Sequence, residues 1–327
     1  MSRKAAVALL ATAAVVVSLA GCSSAGTSNG AGGASKKGGL ISIIVNDPAN
    51  PYWLTEGNVA SEEAKTLGYK SHVGASKGDT NTENNLIDTA IANKSVAIIL
   101  DPANASGSIG AVKKANAAKI PVFLVNAEIN QSGLAKAQLV SNNAQGAAIG
   151  AQQWVKDIGT KGDYVELFGA PSDNNAATRS NGYKTVLSQY PDLHEVGKDV
   201  ANWDRTQGHD KMQSLLQAHP EITGVISGND EMALGAIAAL KQAGKLSKVK
   251  VGGFDGSPDA VDAIKAGELQ YTVLQPVAMF AKKAVQEADS FLRTGKTGAS
   301  SEKQLFDCIL ITKDNVNDMV GPFTLKQ

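Results

Sequence analysis

The residues with the most chemical content sit at the ends of short apolar runs. Leu40–Val45 ends at Asn46, Val96–Leu100 at Asp101, Pro121–Val125 at Asn126, and the run 194–200 leads to Trp203. Val225-Ile226-Ser227 leads to Asn229, Lys250–Phe254 ends at Asp255, and Tyr271–Leu274 ends at Gln275. Amides and carboxylates bond hydroxyl groups well and hold phosphate poorly unless bases surround them. Asn and Asp are also ordinary turn formers and helix caps, so a single corner carries little weight. Seven such corners point beyond turn chemistry. The aromatic residues add to this: Trp53, in Asn50-Pro51-Tyr52-Trp53, and Trp203, in Ala201-Asn202-Trp203-Asp204-Arg205, are two of only three tryptophans. The C–H face of a sugar or polyol packs on such rings while amides and charges take its hydroxyls. Trp154, on an Ala-rich helical stretch, reads as core.

The elements that position these corners alternate strictly. After Asn46 a helix is predicted from Tyr52 to Leu67, with Ala60, Ala64 and Leu67 on one face and Gly68 as its stop. A strand over Tyr69–Val73, helices over 82–92 and 106–118, and the runs ending at Asp101 and Asn126 continue the pattern. It restarts at Leu139-Val140. In the unit 224–244, Ala233, Ile237 and Leu240 share a helix face, Asp230 and Glu231 suit the positive helix start, and Gly244 ends it. A long helix from Val277 to Leu292 and one last strand, Leu305–Ile311, finish the chain. Buried strands alternating with amphipathic helices predict an α/β protein of two doubly wound, parallel-sheet lobes, whose ligands lie beyond the carboxyl ends of the strands.

Composition narrows the function. Lys plus Arg and Asp plus Glu number 31 each, which excludes the basic footprint of a nucleic-acid binder. Residues 1–21 carry Arg3 and Lys4, an apolar run Ala5–Ala20, and the ending Leu19-Ala20-Gly21-Cys22. That order resembles a bacterial lipobox, so a lipoprotein signal peptide over 1–21 is expected, with Cys22 as the lipidated first residue and 22–39 as a Ser/Gly-rich tether. Cys308 is then without a partner and reads as a small core residue. Gly74-Ala75-Ser76-Lys77-Gly78 fits a G-x-S-x-G hydrolase pattern, but the four histidines offer it no motif-level partner. No phosphate loop and no His or Cys pair at metal-ligand spacing is present, so neither a cofactor, a metal nor a catalytic residue is expected.

Several segments resemble the ribose-binding-protein family of bacterial ABC-importer receptors, over essentially all of 40–312. They are Asn50–Trp53, Leu67-Gly68-Tyr69, Ala118–Val122, Arg179-Ser180-Asn181-Gly182-Tyr183, Gly228–Gly235 and Val251–Gly256. The resemblance implies two lobes, 40–142 plus 276–307 and 143–275 plus 308–327, joined by three crossings near 141–143, 275–276 and 307–309. It implies that Tyr52, Trp53 and Trp203 sandwich the ligand, and that Arg179, Asn229, Asp255 and Gln275 bond its hydroxyls. Asn46 and Asn126 match further cleft positions. Ribose binders of the family have an amide where this chain has Asp101, and an arginine where it has Ala127. A pentose or a short polyol is therefore expected rather than ribose itself, with Glu128 partly rebuilding that corner. The implied partners are a membrane permease and ATPase; the implied protein is a lipid-anchored, extracytoplasmic monomer. A sensory receptor with the same cleft, reporting to a kinase or chemoreceptor, is the alternative.

Overall fold

The computed structural model describes residues 38–326; the expected signal peptide, Cys22 and nearly all of the tether lie outside the described residues. The first lobe opens with β1 (Leu40–Val45), α1 (Pro51–Thr66), β2 (Lys70–Ala75), α2 (Thr80–Ala92), β3 (Ala97–Leu100), α3 (Ile109–Ala117), β4 (Val122–Val125) and β5 (Ala137–Ser141). The second follows with α4 (Asn143–Ile158), β6 (Lys161–Phe168), α5 (Asn174–Leu187), β7 (Asp192–Val200), α6 (Arg205–Ala218), β8 (Gly224–Ser227), α7 (Asp230–Gln242), β9 (Lys250–Gly252), α8 (Pro258–Lys265) and β10 (Tyr271–Leu274). The chain then runs through α9 (Val277–Thr294), β11 (Lys303–Phe306) and β12 (Ile309–Thr312), and ends in a ribbon of β13 (Met319–Gly321) and β14 (Thr324–Leu325).

Two six-stranded sheets result, ordered β11-β5-β4-β3-β1-β2 and β12-β10-β9-β8-β6-β7. The first is parallel throughout; in the second only β12 runs antiparallel, against β10. In each sheet the order reverses beside the first strand, at β1/β3 and at β6/β8, which opens a crevice at the strands' carboxyl ends. The sheets exchange chain three times: β5 to α4, β10 to α9, and β11 to β12. The expected single last strand, Leu305–Ile311, is two strands in different sheets, broken at Asp307-Cys308. Gln145 holds that break, accepting from the Cys308 amide at 2.9 Å and donating to its carbonyl at 3.1 Å, while Asn142 Nδ2 donates to Asp307 Oδ1 at 2.8 Å.

Local chemistry explains the element starts. Asn50 caps α1 by accepting from the Tyr52 amide, with Pro51 in the first turn, and Asn229 caps α7 by accepting from Met232. Helices α6 and α7 cross with their backbones in contact: a Cβ on Gly235 would lie 2.2 Å from the Arg205 carbonyl oxygen. Asp230 does more than complement the α7 dipole. It accepts from Ser257 N at 2.8 Å and from Thr272 Oγ1 at 2.6 Å, tying α7 to the α8 start and to β10. Glu231 forms a paired ion bond with Arg205 at 2.7 and 2.8 Å. Ser76 is fully buried, its hydroxyl donating to the Val45 carbonyl at 3.2 Å, as a loop brace. Trp154 and Cys308 are core, as expected, and burial pushes the Cys308 thiol up to about 12.

Three scaffold acids lie in this framework: Glu83, which accepts from Ala103 N and Ser108 Oγ; Glu166, beside Ser180 and Lys198; and Asp230. Burial raises all three, Asp230 to about 6. The folded chain therefore holds protons that the unfolded chain has already released, and stability falls as pH rises from the ordinary carboxylate range of about 4 through these raised values. The melting midpoint should be several degrees higher at pH 5 than at pH 7. A midpoint that is flat or falls on acidification across that window, followed by calorimetry, would contradict this account.

Candidate ligand-binding cleft

Between the lobes lies a cleft of about 680 Å³, lined by Asn46, Asn50, Trp53, Lys77 and Asp101 from one side and Asp173, Trp203, Arg205 and Gln207 from the other. At its base is a narrow chamber of about 20 Å³. Eight of the ten residues expected at the site line this chamber: Tyr52, Trp53, Asn126, Arg179, Trp203, Asn229, Asp255 and Gln275. Asn46 and Asp101 line the outer cleft instead. The chamber also takes in Asn50, Asp173 and Asn175, which the sequence reading did not select. Asp173 and Asn175 stand at the corner between β6 and α5, where Asp173 caps the helix. The polar run Ser172–Asn175 was the available signal.

The chamber is organised by a closed ring of hydrogen bonds that passes through both lobes. Tyr52 OH lies 3.0 Å from Asn126 Oδ1 and 3.4 Å from Gln275 Oε1. The Asn126 carbonyl accepts from Asn175 Nδ2 at 3.2 Å, and Asn175 Oδ1 accepts from Asn143 Nδ2 at 2.8 Å. Asn143 Oδ1 accepts from Arg179 Nε at 2.7 Å, Arg179 meets Asp255 Oδ1 at 3.4 Å, and Gln275 Nε2 donates to the same oxygen at 2.7 Å. The lobes also touch at the outer lip, where Ala105 N donates to the Ser172 carbonyl at 2.9 Å and Asn174 Nδ2 donates to Asn130 Oδ1 at 2.8 Å. This is a closed arrangement.

Several site side chains are held by unusual backbone. Asn126, Trp203 and Asp255 have φ of 61°, 66° and 133°, a region that L-residues rarely adopt and that clusters at ligand sites. The Trp203 ring lies in a slot against the ends of β6 and β8: a Cβ on Gly169 would come within 2.1 Å of it, and one on Gly228 within 3.1 Å. Only glycine at 169 lets the ring lie there. The Asn229 amide is largely engaged, its oxygen in the α7 cap and its nitrogen on the Trp203 carbonyl at 3.2 Å.

The electrostatics favour hydrogen-bond donors. Burial pushes Asp101 and Asp255 well above the usual carboxylate range; Arg179 draws Asp255 back down, and the hydrogen bond from Asn126 at 2.9 Å does the same for Asp101. Burial also raises Asp173, and raises Glu56 well above its ordinary value, with Asp101 adding to the effect. Among the described residues neither Glu56 oxygen has a hydrogen-bond partner, and the Trp53 indole N–H stands beside Asp101 and helps to lower it. Glu128, by contrast, is paired with Lys303 at 2.8 Å. The chamber thus presents carboxyl and amide groups around the Arg179 guanidinium, a set suited to hydroxyl partners, and Lys77 and Arg205 stand in the outer cleft.

A model of the periplasmic binding protein domain matches residues 41–297. A D-apiose import binding protein of Paraburkholderia graminis is 48% identical over 287 residues, covering 88% of this chain and 91% of that protein. A ribose import binding protein of Salmonella typhimurium is 32% identical, covering 79% of this chain and 86% of the other. Among solved structures, an ABC-transporter solute-binding protein of Bacillus halodurans with bound myo-inositol superposes with a TM-score of 0.80 at 26% identity, covering 87% of this chain and 98% of that one. With its two lobes, its crevice at the strand ends and these matches along most of its length, the chain belongs to the type I periplasmic binding proteins of the ribose-binding type.

Proposed function

We propose that this chain is the extracytoplasmic substrate-binding subunit of an ABC importer, and that it captures a five-carbon sugar, D-apiose or a close relative, in the inter-lobe cleft. The observation that carries the reading is the 48% identity, over about nine tenths of both chains, to a D-apiose import binding protein. The chamber's chemistry supports it. Tyr52, Trp53 and Trp203 offer flat apolar faces, Asp255, Asn126 and Gln275 offer acceptors around the Arg179 guanidinium, and Asp101 adds a carboxyl group from the outer cleft. In this reading the ten residues Asn46, Tyr52, Trp53, Asp101, Asn126, Arg179, Trp203, Asn229, Asp255 and Gln275 form the binding set, with Asn50, Asp173 and Asn175 added. The two lobes, divided at the three crossings, close on the sugar and present their joined outer surface to a permease that an ATPase drives. The leader 1–21 and Cys22 place the protein, as a monomer, on the outer face of the cytoplasmic membrane by a lipid anchor.

A thermal-shift and calorimetric panel of D-apiose, ribose, xylitol and hexoses tests the ligand. A true ligand at 100 times its Kd stabilises the folded chain by about 2.7 kcal/mol. D-apiose should give the largest shift. If no sugar or polyol moves the midpoint, the reading fails.

Asp101 is expected to set preference within the panel. Asp101→Asn keeps an acceptor for Asn126 while replacing one carboxyl oxygen by an amide donor, so the melting midpoint should change little. A buried hydrogen-bond partner left unmatched costs about 1–3 kcal/mol, so D-apiose affinity should fall by about tenfold, with the ranking of ligands altered. An unchanged ranking would remove Asp101 from the specificity set.

For the anchor, Cys22→Ser should abolish labelling by radioactive palmitate and move the protein from the membrane fraction to the soluble one. Retention of label and fractionation would refute lipidation at Cys22.

A further inference from the structure

The chain does not end with the second sheet. Beyond β12, Asn315 closes a turn by accepting from Thr312 N at 2.8 Å and donating to the Leu310 carbonyl at 2.9 Å. A 3-10 turn over Val316–Asp318 follows, with Val316 buried and the turn lying on α8 of the second lobe. The ribbon β13–β14 then folds back on itself, pairing Met319 with Leu325 and Gly321 with Thr324, and Lys326 N donates to the Asp318 carbonyl at 2.8 Å. Its root is therefore in the second lobe. Its tip reaches the first: the Phe323 ring stands edge-on to Tyr52 of α1, with centroids 5.5 Å apart and planes at 89°. Phe323 is only 3% exposed, whereas Val320 in the same ribbon is 63% exposed.

The backbone marks Phe323 as a residue placed for its side chain. The tip is Gly321-Pro322-Phe323-Thr324, with proline at the second position and φ of 53° at the third. A turn of that shape calls for glycine or asparagine at the third position, and a bulky aromatic there is an outlier. A strained residue persists where its surroundings over-determine it, and such residues gather at ligand clamps. The contact that holds this one is the edge of Tyr52. Tyr52 in turn meets Trp53 edge-on at 6.4 Å and reaches Asn126 and Gln275 through its hydroxyl. No periodic signal in the sequence points to this tail.

We infer that Phe323 is a positioning residue for Tyr52, and that the C-terminal ribbon is a strap from the second lobe that fixes one aromatic wall of the binding chamber in the first. The inference rests on the reading that Tyr52 faces the ligand. Phe323 itself touches no ligand; it sets the pose of the ring that does. A pure core filler would act on stability alone, and a positioning residue acts on the geometry of the α1 start.

The test uses the full-length protein with Phe323→Leu, which keeps apolar bulk, and Phe323→Gly, which relaxes the turn and removes the ring. D-apiose is the probe, and amide hydrogen exchange over residues 51–56 without ligand is the second readout. Loss of one aromatic pair should weaken D-apiose binding by about three- to tenfold in the Leu variant. Exchange at the α1 start should quicken in both variants, and the melting midpoint of the Leu variant should stay close to that of the wild type. Unchanged affinity and unchanged exchange in the Leu variant, whatever happens to the midpoints, overturn the inference. If the wild type itself does not bind D-apiose, the proposed ligand is wrong, while the exchange comparison still decides whether Phe323 orders the start of α1.

Discussion

The site depends on how one buried cation is satisfied. Among the described residues Arg179 is the one buried Lys or Arg, at 3% exposure, and a guanidinium out of water is tolerated only when its donors and charge are met. It projects from α5 and is met from several directions. Asn143 takes Nε at 2.7 Å, the Gly228 carbonyl takes a terminal nitrogen at 2.8 Å, Asp255 supplies charge at 3.4 Å, and the Phe254 and Trp203 rings lie 3.9 and 5.2 Å from its centre. Removing one member of such a buried pair typically costs about 3–5 kcal/mol, because the partner is left uncompensated. Asn143 is the first residue of α4, immediately past the first crossing, and Gln275, which shares Asp255, is the last residue before the second. The requirement of the cation thus reaches into two of the three crossings.

That arrangement settles what the carboxyl groups do. Burial raises Asp255, and the neighbouring Arg179 guanidinium does most to lower it. Among the described residues Asp101 accepts from the Asn126 amide at 2.9 Å, and neither Glu56 oxygen has a hydrogen-bond partner. The two lobes therefore differ electrically: the second carries a neutralised ion pair, and the first carries acids whose charge is opposed by burial. Hydroxyl groups entering between them could bond the carboxyl and amide groups of the first wall and accept from Arg179 on the second. On the proposed reading, recognition of a polyhydroxyl ligand would rest on this asymmetry more than on any single side chain.

The strand ends were legible because local rules govern them. A short apolar run terminated by Asn, Asp or Gln reads directly as a buried strand and its corner, and eight of the ten residues so found, or matched by resemblance, line the inner chamber. The β6 corner was missed because Gly169-Ala170-Pro171 separates Phe168 from Asp173, so the polar group no longer abuts the apolar run. Leu305–Ile311 read as one strand because apolar residues continue on both sides of Asp307-Cys308; that β11 and β12 join different sheets is fixed by Asn142 and Gln145, 163 or more residues away in sequence. Asn46 stands in the outer cleft for the same kind of reason: which corner reaches deepest is set by how the two sheets face each other. The helical reading of Asp230 was sound locally and incomplete, since its partners Ser257 and Thr272 come from later elements.

The closed arrangement brings these separate features into one site. At the outer lip the lobes are joined by a backbone bond, Ala105 to Ser172, and an amide pair, Asn174 to Asn130. Neutral hydrogen bonds of this kind each contribute about 0.5–1.5 kcal/mol net, so the lip alone biases the lobes towards closure without locking them. The inner ring adds contacts that need both lobes, Asn175 to Asn126 and Tyr52 to Gln275 across the second crossing, yet its bonds compete: the single Tyr52 hydroxyl proton can serve Asn126 or Gln275, not both. On the proposed reading, a ligand hydroxyl that donates to the unserved acceptor would relieve that competition in the closed arrangement. Differential affinity for the closed state is what a ligand must supply to shift such an equilibrium, and on the proposed reading it would arise from a donor shortage in the chamber.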